Sequence, residues 1–99
     1  MTKEELYQIA LSATATVYEV EEAEITGKVR RTQVRNARHM LYYVLNKCIG
    51  FNYHDFMDIC HRRTYSSNIE RAKDNMRKNA YERTYYRNIL YLIENQIKK

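Results

Sequence analysis

Proline is absent from this chain, and glycine occurs only at Gly27 and Gly50. Tight strand-to-strand turns depend on those two residue types for positive φ or a preset φ near −65°, so hairpins have almost no turn chemistry here. That scarcity predicts an all-α fold of about five or six helices. The 99 residues fit one small domain over residues 1–99, burying well under three-quarters of its unfolded surface on size scaling. Its hydrophobic share of 44% supports a thin core, to which ten tyrosines contribute much of the bulk.

Helical spacing organises most of the chain. Thr2-Lys3-Glu4-Glu5 has the form of a capping box and is followed by Leu6, Ile9, Ala10 and Ala13, predicting a first helix that ends near Thr14. The β-branched stretch from Thr14 to Val20 is ambiguous. Glu19 to Ile25 reads as a short acidic helix stopped at Thr26-Gly27. After the connector Lys28-Val29-Arg30-Arg31, a long helix is expected from an N-cap at Thr32 to Ile49, closed by Gly50 in the left-handed region. Val34, Ala37, Leu41, Val44, Leu45 and Cys48 form its apolar face, leaving Arg35, Arg38, His39, Tyr42 and Asn46 on a solvated face. Asn52 then caps a short helix with Phe56, Ile59 and Cys60 inward. The turn His61-Arg62-Arg63-Thr64 leads into a further helix with Ile69, Ala72 and Met76 inward. Beyond Asn79 the pattern goes on through Tyr85, Ile89, Leu92 and Ile93 as a tyrosine-rich C-terminal helix over residues 80–97; spacing alone leaves open whether it is continuous with the helix before it.

Charge is unevenly spread. Residues 1–27 hold one lysine and six glutamates, whereas residues 28–99 hold sixteen Lys/Arg and six Asp/Glu. A balance of about −5 followed by +10 is the footprint of a polyanion partner, nucleic acid before anionic membrane. Cys48 and Cys60 occupy apolar positions of helical patterns, and the chain shows no signal peptide and no apolar run long enough to span a bilayer. Reduced thiols in a cytoplasmic, nucleoid-associated protein are therefore expected. No metal site is expected, because no CxxC pair exists and the adjacent Cys60 and His61 point to different sides of a helix.

A short helix, a basic turn and a second amphipathic helix make a helix-turn-helix unit, in which the second helix enters the major groove by its N-terminal residues. Those residues are Thr64, Tyr65, Ser66 and Ser67. Tyr65 is suited to a base acceptor or a thymine methyl, while the serine hydroxyls beside free helix-start amides suit a phosphate oxygen. Arg62 and Arg63 are placed for backbone or a guanine edge. Arg30 and Arg31 extend toward the adjoining minor groove, and Arg35, Arg38, His39 and Arg71 complete the expected contact set.

The order Val34-Arg35-Asn36-Ala37-Arg38-His39-Met40, then Phe56, then Arg63-Thr64-Tyr65-Ser66-Ser67, resembles the C-terminal duplex-DNA-binding domain of the bacterial replication initiator DnaA. The similarity is clearest from Val34 to Lys73 and looser over the rest. It implies a minor-groove role for Arg30, a phosphate role for Arg38, and a place on the recognition loop and helix start for Arg63 through Ser67. The chain departs from that family where the acidic residue is Thr64, the histidine is Tyr65 and the glycines before the arginine are His61 and Arg62. Serines at 66 and 67 keep the hydroxyls of the family's threonines. The resemblance thus implies retained backbone gripping without carrying over the family's origin sequence. No glycine-rich phosphate loop ending in Lys-Ser/Thr is present, which excludes ATP hydrolysis.

The leading expectation is a stand-alone binder of double-stranded DNA, with no cofactor, no small-molecule substrate and no membrane. Such a protein would be a replication-origin accessory or competitor, or a small transcriptional regulator, of phage or mobile-element type. The alternative is a protein-interaction module whose partner meets the acidic segment 19–24 or the tyrosines of the C-terminal helix. RNA recognition lacks sheet aromatics or a GxxG loop. An enzyme is not expected, since no paired carboxylates fall near a histidine in a helical register.

Overall fold

A computed structural model describes residues 1–61 and 65–98. Among them are six helices and no strand. Helix α1 spans Lys3–Tyr18, α2 Glu22–Thr26 and α3 Thr32–Val44, whose last turn widens to a π-helical turn over Leu45–Ile49. Helix α4, Tyr53–Asp55, continues in the same way through Phe56–Cys60. Helices α5, Tyr65–Lys78, and α6, Ala80–Ile97, follow.

The expected capping box opens α1: Thr2 Oγ1 accepts from the Glu5 amide at 3.1 Å and Glu5 Oε1 accepts from the Thr2 amide at 3.1 Å. The helix does not stop near Thr14 but runs one turn further. Thr14 and Thr16 turn their hydroxyls onto the carbonyls of Ala10 and Ser12, at 2.8 and 2.9 Å, which removes their competition with the helical backbone. Tyr18 is buried at the end of that turn, and its burial outweighs the weak helix propensity of the β-branched run. Its hydroxyl donates to Glu82 Oε2 at 2.6 Å, a buried tie between α1 and α6. Burial pushes the Glu82 carboxyl above its usual range, and burial together with that carboxylate pushes the Tyr18 phenol up as well.

Glu19 ends α1 in the left-handed region at φ 56. The acidic helix therefore begins at Glu22 rather than Glu19, capped by Glu21 with Glu24 reaching back to its amide at 3.0 Å. A side-chain residue in that conformation costs about 1–2 kcal/mol over the right-handed region. Because Glu19 is exposed, Glu19→Gly is expected to raise stability by about 0.5–1 kcal/mol. Equilibrium urea unfolding checks this, and a destabilised variant would contradict it.

Gly50 closes the α3 extension at φ 89, as the spacing predicts. Gly27 serves a different need: a Cβ there would lie 2.9 Å from the Ala23 carbonyl oxygen. The open question at Asn79 resolves as a break, with φ −129 and ψ 118 separating α5 from α6. Residues from every helix but α4's first turn meet in one core, including Ala10, Ile25, Met40, Leu41, Leu45, Phe56, Ile69 and Ile89. Phe56 is fully buried in it, with Phe51 and Tyr42 each 5.5 Å away by ring centroid.

The face assigned to α3 needs correction. Arg38, His39 and Tyr42 are buried, at 9%, 8% and 4% exposure. The helix is enclosed by α1, α2 and α5, so a two-faced reading fails for it. Cys48, expected inside, is exposed instead, with its Sγ 3.2 Å from the Tyr86 hydroxyl. The N-cap is also shifted: Arg31 holds the cap position and Thr32 is already helical.

Candidate nucleic-acid interface

The surface of interest is built where α3 and α5 cross. Asn75 Nδ2 of α5 donates to Asn36 Oδ1 of α3 at 3.1 Å and fixes their register. One turn away lies His39, buried, with Nδ1 making no hydrogen bond among the described residues. Burial and then the positive charges of Arg71, Arg35 and Arg38 push its pKa down to about 4. The imidazole is therefore neutral at pH 7 and acts as a gauge of its surroundings. Arg35 of α3 and Arg71 of α5, both exposed, lie near enough for their charges to act on it.

Arg38 has a different occupation. Its Nε donates to the Ile25 carbonyl at 2.7 Å, and its Nη2 lies 3.1, 3.1 and 3.2 Å from the carbonyls of Glu24, Gly27 and Val29. The planar fork thus collects orphan carbonyls at the end of α2 and fastens the connector to α3. A guanidinium so engaged is withdrawn from the phosphate-gripping set, and His39, buried and neutral, leaves the contact set with it.

Along the connector, Arg31 pairs with Glu24 at 2.5 Å. Arg30 is exposed and makes no ion pair or hydrogen bond among the described residues. On α5, Ser66 and Ser67 are exposed in the first turn. Ser67 and Arg71, four residues apart, share one surface with Glu70, Asp74 and Arg77. Lys73 pairs with Glu70 at 3.2 Å, while Arg77 and Lys78 lie 3.7 and 3.0 Å from Asp74. Arg71 alone among the basic residues of this helix makes no ion pair with a described residue.

The order expected for a helix-turn-helix unit is present, a short helix and then the longer α5. Arg62, Arg63 and Thr64 lie outside the described residues. His61, just before them, takes the left-handed conformation at φ 55, at one of the two positions where the resembled family has glycine. Tyr65 is half-buried, its ring stacked on Phe56 at 4.5 Å and 12°. It is first a packing residue that anchors the start of α5, and only its exposed edge is available to a partner.

Sequence reasoning passed over Arg83 and Arg87, which α6 brings against Lys73 and Arg77 of α5. The signal was there as an i, i+4 pair on each helix, but it acquires meaning only once the chain turns at Asn79. Among the described residues, no group of three or more His, Cys, Asp and Glu side chains is placed to hold a metal, and no helix is long and apolar enough to cross a membrane. No family model, curated protein or solved structure matches this chain.

Proposed function

We propose that the chain binds double-stranded DNA, with the first two turns of α5 against a groove and the connector arginines beside it. The observation that carries this reading is the pair Arg35 and Arg71, exposed cations on two helices that the Asn36–Asn75 bond holds together and whose charges both reach the buried His39. Exposed arginines without carboxylate partners among the described residues suit phosphate, which they grip through two parallel N–H donors. Ser66 and Ser67 at the start of α5 add hydroxyls beside helix-start amides, the arrangement that favours a phosphate oxygen. Arg30, exposed on a connector clamped by Arg38, supplies the second point of contact. In this reading the protein is nucleoid-associated and lacks nucleotide hydrolysis, acting as an origin accessory or competitor, or as a small regulator of transcription. The likeness to the C-terminal domain of DnaA belongs to the same proposal.

The test is a titration of a random-sequence duplex pool at several salt concentrations. The wild-type protein is expected to lose affinity steeply as salt rises, because bound phosphates release counterions. The variant Arg30→Ala/Arg35→Ala/Arg71→Ala is expected to bind roughly 30-fold more weakly, with the log–log salt slope shallower by about 2 to 3. Association that ignores salt, or undiminished affinity in the triple variant, would overturn the reading.

A second reading has its own observation: Tyr81 and Tyr91 of α6 are 54% and 63% exposed, as a protein-binding helix would have them. It is the weaker one, because Tyr85 and Tyr86 of the same helix are spent on the domain itself, packed on Tyr18 at 4.9 Å and Tyr43 at 5.5 Å. A tight protein partner together with no mobility shift on any duplex would favour it.

A further inference from the structure

A groove of about 680 Å³ runs between α3, α5 and α6, lined by Tyr43, Lys73, Met76, Arg77, Arg83, Tyr86 and Arg87. Four of those seven side chains are cations and none is acidic; Lys73 and Arg77 also pair with Glu70 and Asp74 on its α5 rim, which leaves Arg83 and Arg87 of α6 as the cations without a carboxylate among the described residues. Its floor is aromatic: the rings of Tyr43 and Tyr86 meet edge to face at 5.5 Å, and the Tyr86 hydroxyl is held by Cys48. Arg83 is fixed by donating to the Met76 carbonyl across the α5–α6 corner. Arg87, exposed, has no ion pair or hydrogen bond among the described residues.

We propose that this groove binds single-stranded nucleic acid, with phosphates along Lys73, Arg77, Arg83 and Arg87 and an unpaired base against the Tyr43–Tyr86 rings. Three planar guanidinium groups can grip phosphate through parallel N–H donors, and the aromatic floor is what favours a nucleic acid over an acidic peptide. Aromatic rings between cations are what a strand with free base faces requires, whereas a duplex keeps its bases stacked on one another. The groove is shallow and open, which fits a polymer lying across it rather than an enclosed small ligand. Arg30, Arg35 and Arg71 do not line this groove, although Arg77 borders both surfaces; Arg87, which belongs to the groove alone, therefore tells the two readings apart.

Fluorescence anisotropy with a labelled oligothymidylate and, in a parallel arm, an oligouridylate tests it and shows which sugar is accepted. The full chain is expected to bind at least one of them, and an abasic oligomer of equal length at least fivefold more weakly. Arg87→Glu is expected to weaken binding about tenfold, and Arg87→Gln about threefold, while duplex affinity changes less than twofold. The triple variant of the duplex face is expected to retain single-strand binding. Equal affinity for the abasic oligomer, no binding to either strand, or no effect of both Arg87 substitutions would overturn the proposal. Polyglutamate binding as tightly as the oligonucleotides would assign the groove to acidic protein segments instead.

Discussion

Replacing Arg38 with methionine is expected to lower the free energy of unfolding by about 3–5 kcal/mol, a large part of what a domain of this size has. Methionine keeps the apolar stem and removes only the guanidinium, so the change isolates the donors. Four carbonyls, of Glu24, Ile25, Gly27 and Val29, then lose a bonding partner in or beside the interior. Each buried acceptor left without a donor costs about 1–3 kcal/mol, and those nearer solvent recover part of that through water. Thermal denaturation should show a drop of roughly 15–30 °C. Arg38→Lys should fall between, because an ammonium cannot span the fork that the guanidinium makes. Duplex affinity should fall as well, since Arg30 then sits on a connector no longer fastened to α3. A methionine variant within about 1 kcal/mol of wild type would mean that the end of α2 and the connector are held by other contacts.

Arg38 also shows why the site was only partly legible. The scarcity of glycine and proline, the capping box at Thr2 and the cap at Asn52 are local signals, and the helices follow from them. The exposed arginines Arg30, Arg35 and Arg71 were likewise readable, since charge clustered after residue 27. Carbonyl groups leave no trace in a sequence, however, so an arginine that binds backbone looks identical to one that waits for phosphate. The solvated face drawn for α3 assumed one side open to water, yet α1, α2 and α5 surround the helix and take in Arg38, His39 and Tyr42. The packing partner of Tyr65 was hidden for a related reason: nothing local marks Phe56, nine positions earlier, as the surface on which its ring lies. The extra turn of α1 depended on Tyr18 finding Glu82, 64 residues away.

Acidification should destabilise the protein by about 3 kcal/mol through His39 alone. The imidazole is held at about 4 by burial and by the charges of Arg71, Arg35 and Arg38, against an ordinary value of 6.5. A depressed pKa means that the unfolded chain takes up the proton first. The stabilisation is therefore complete above pH 6.5 and is lost progressively as pH falls toward 4. Other groups titrate nearby, and Glu82 works in the opposite sense, because its raised pKa favours the folded state on protonation. The informative quantity is thus the difference between wild type and His39→Leu. At pH 7.5 leucine is expected to leave stability within about 1 kcal/mol of wild type, since it removes an Nδ1 that has no hydrogen bond among the described residues and keeps an apolar group in the pocket. Toward pH 4 the variant should become the more stable protein by about 2–3 kcal/mol, with the curves separating below pH 6.5. Denaturant midpoints measured at half-unit pH steps give both curves, and direct titration of the His39 ring by NMR gives the pKa itself. Parallel curves for the two proteins, or a ring that titrates near its ordinary value, would mean that the imidazole is not held buried beside the charges of α3 and α5.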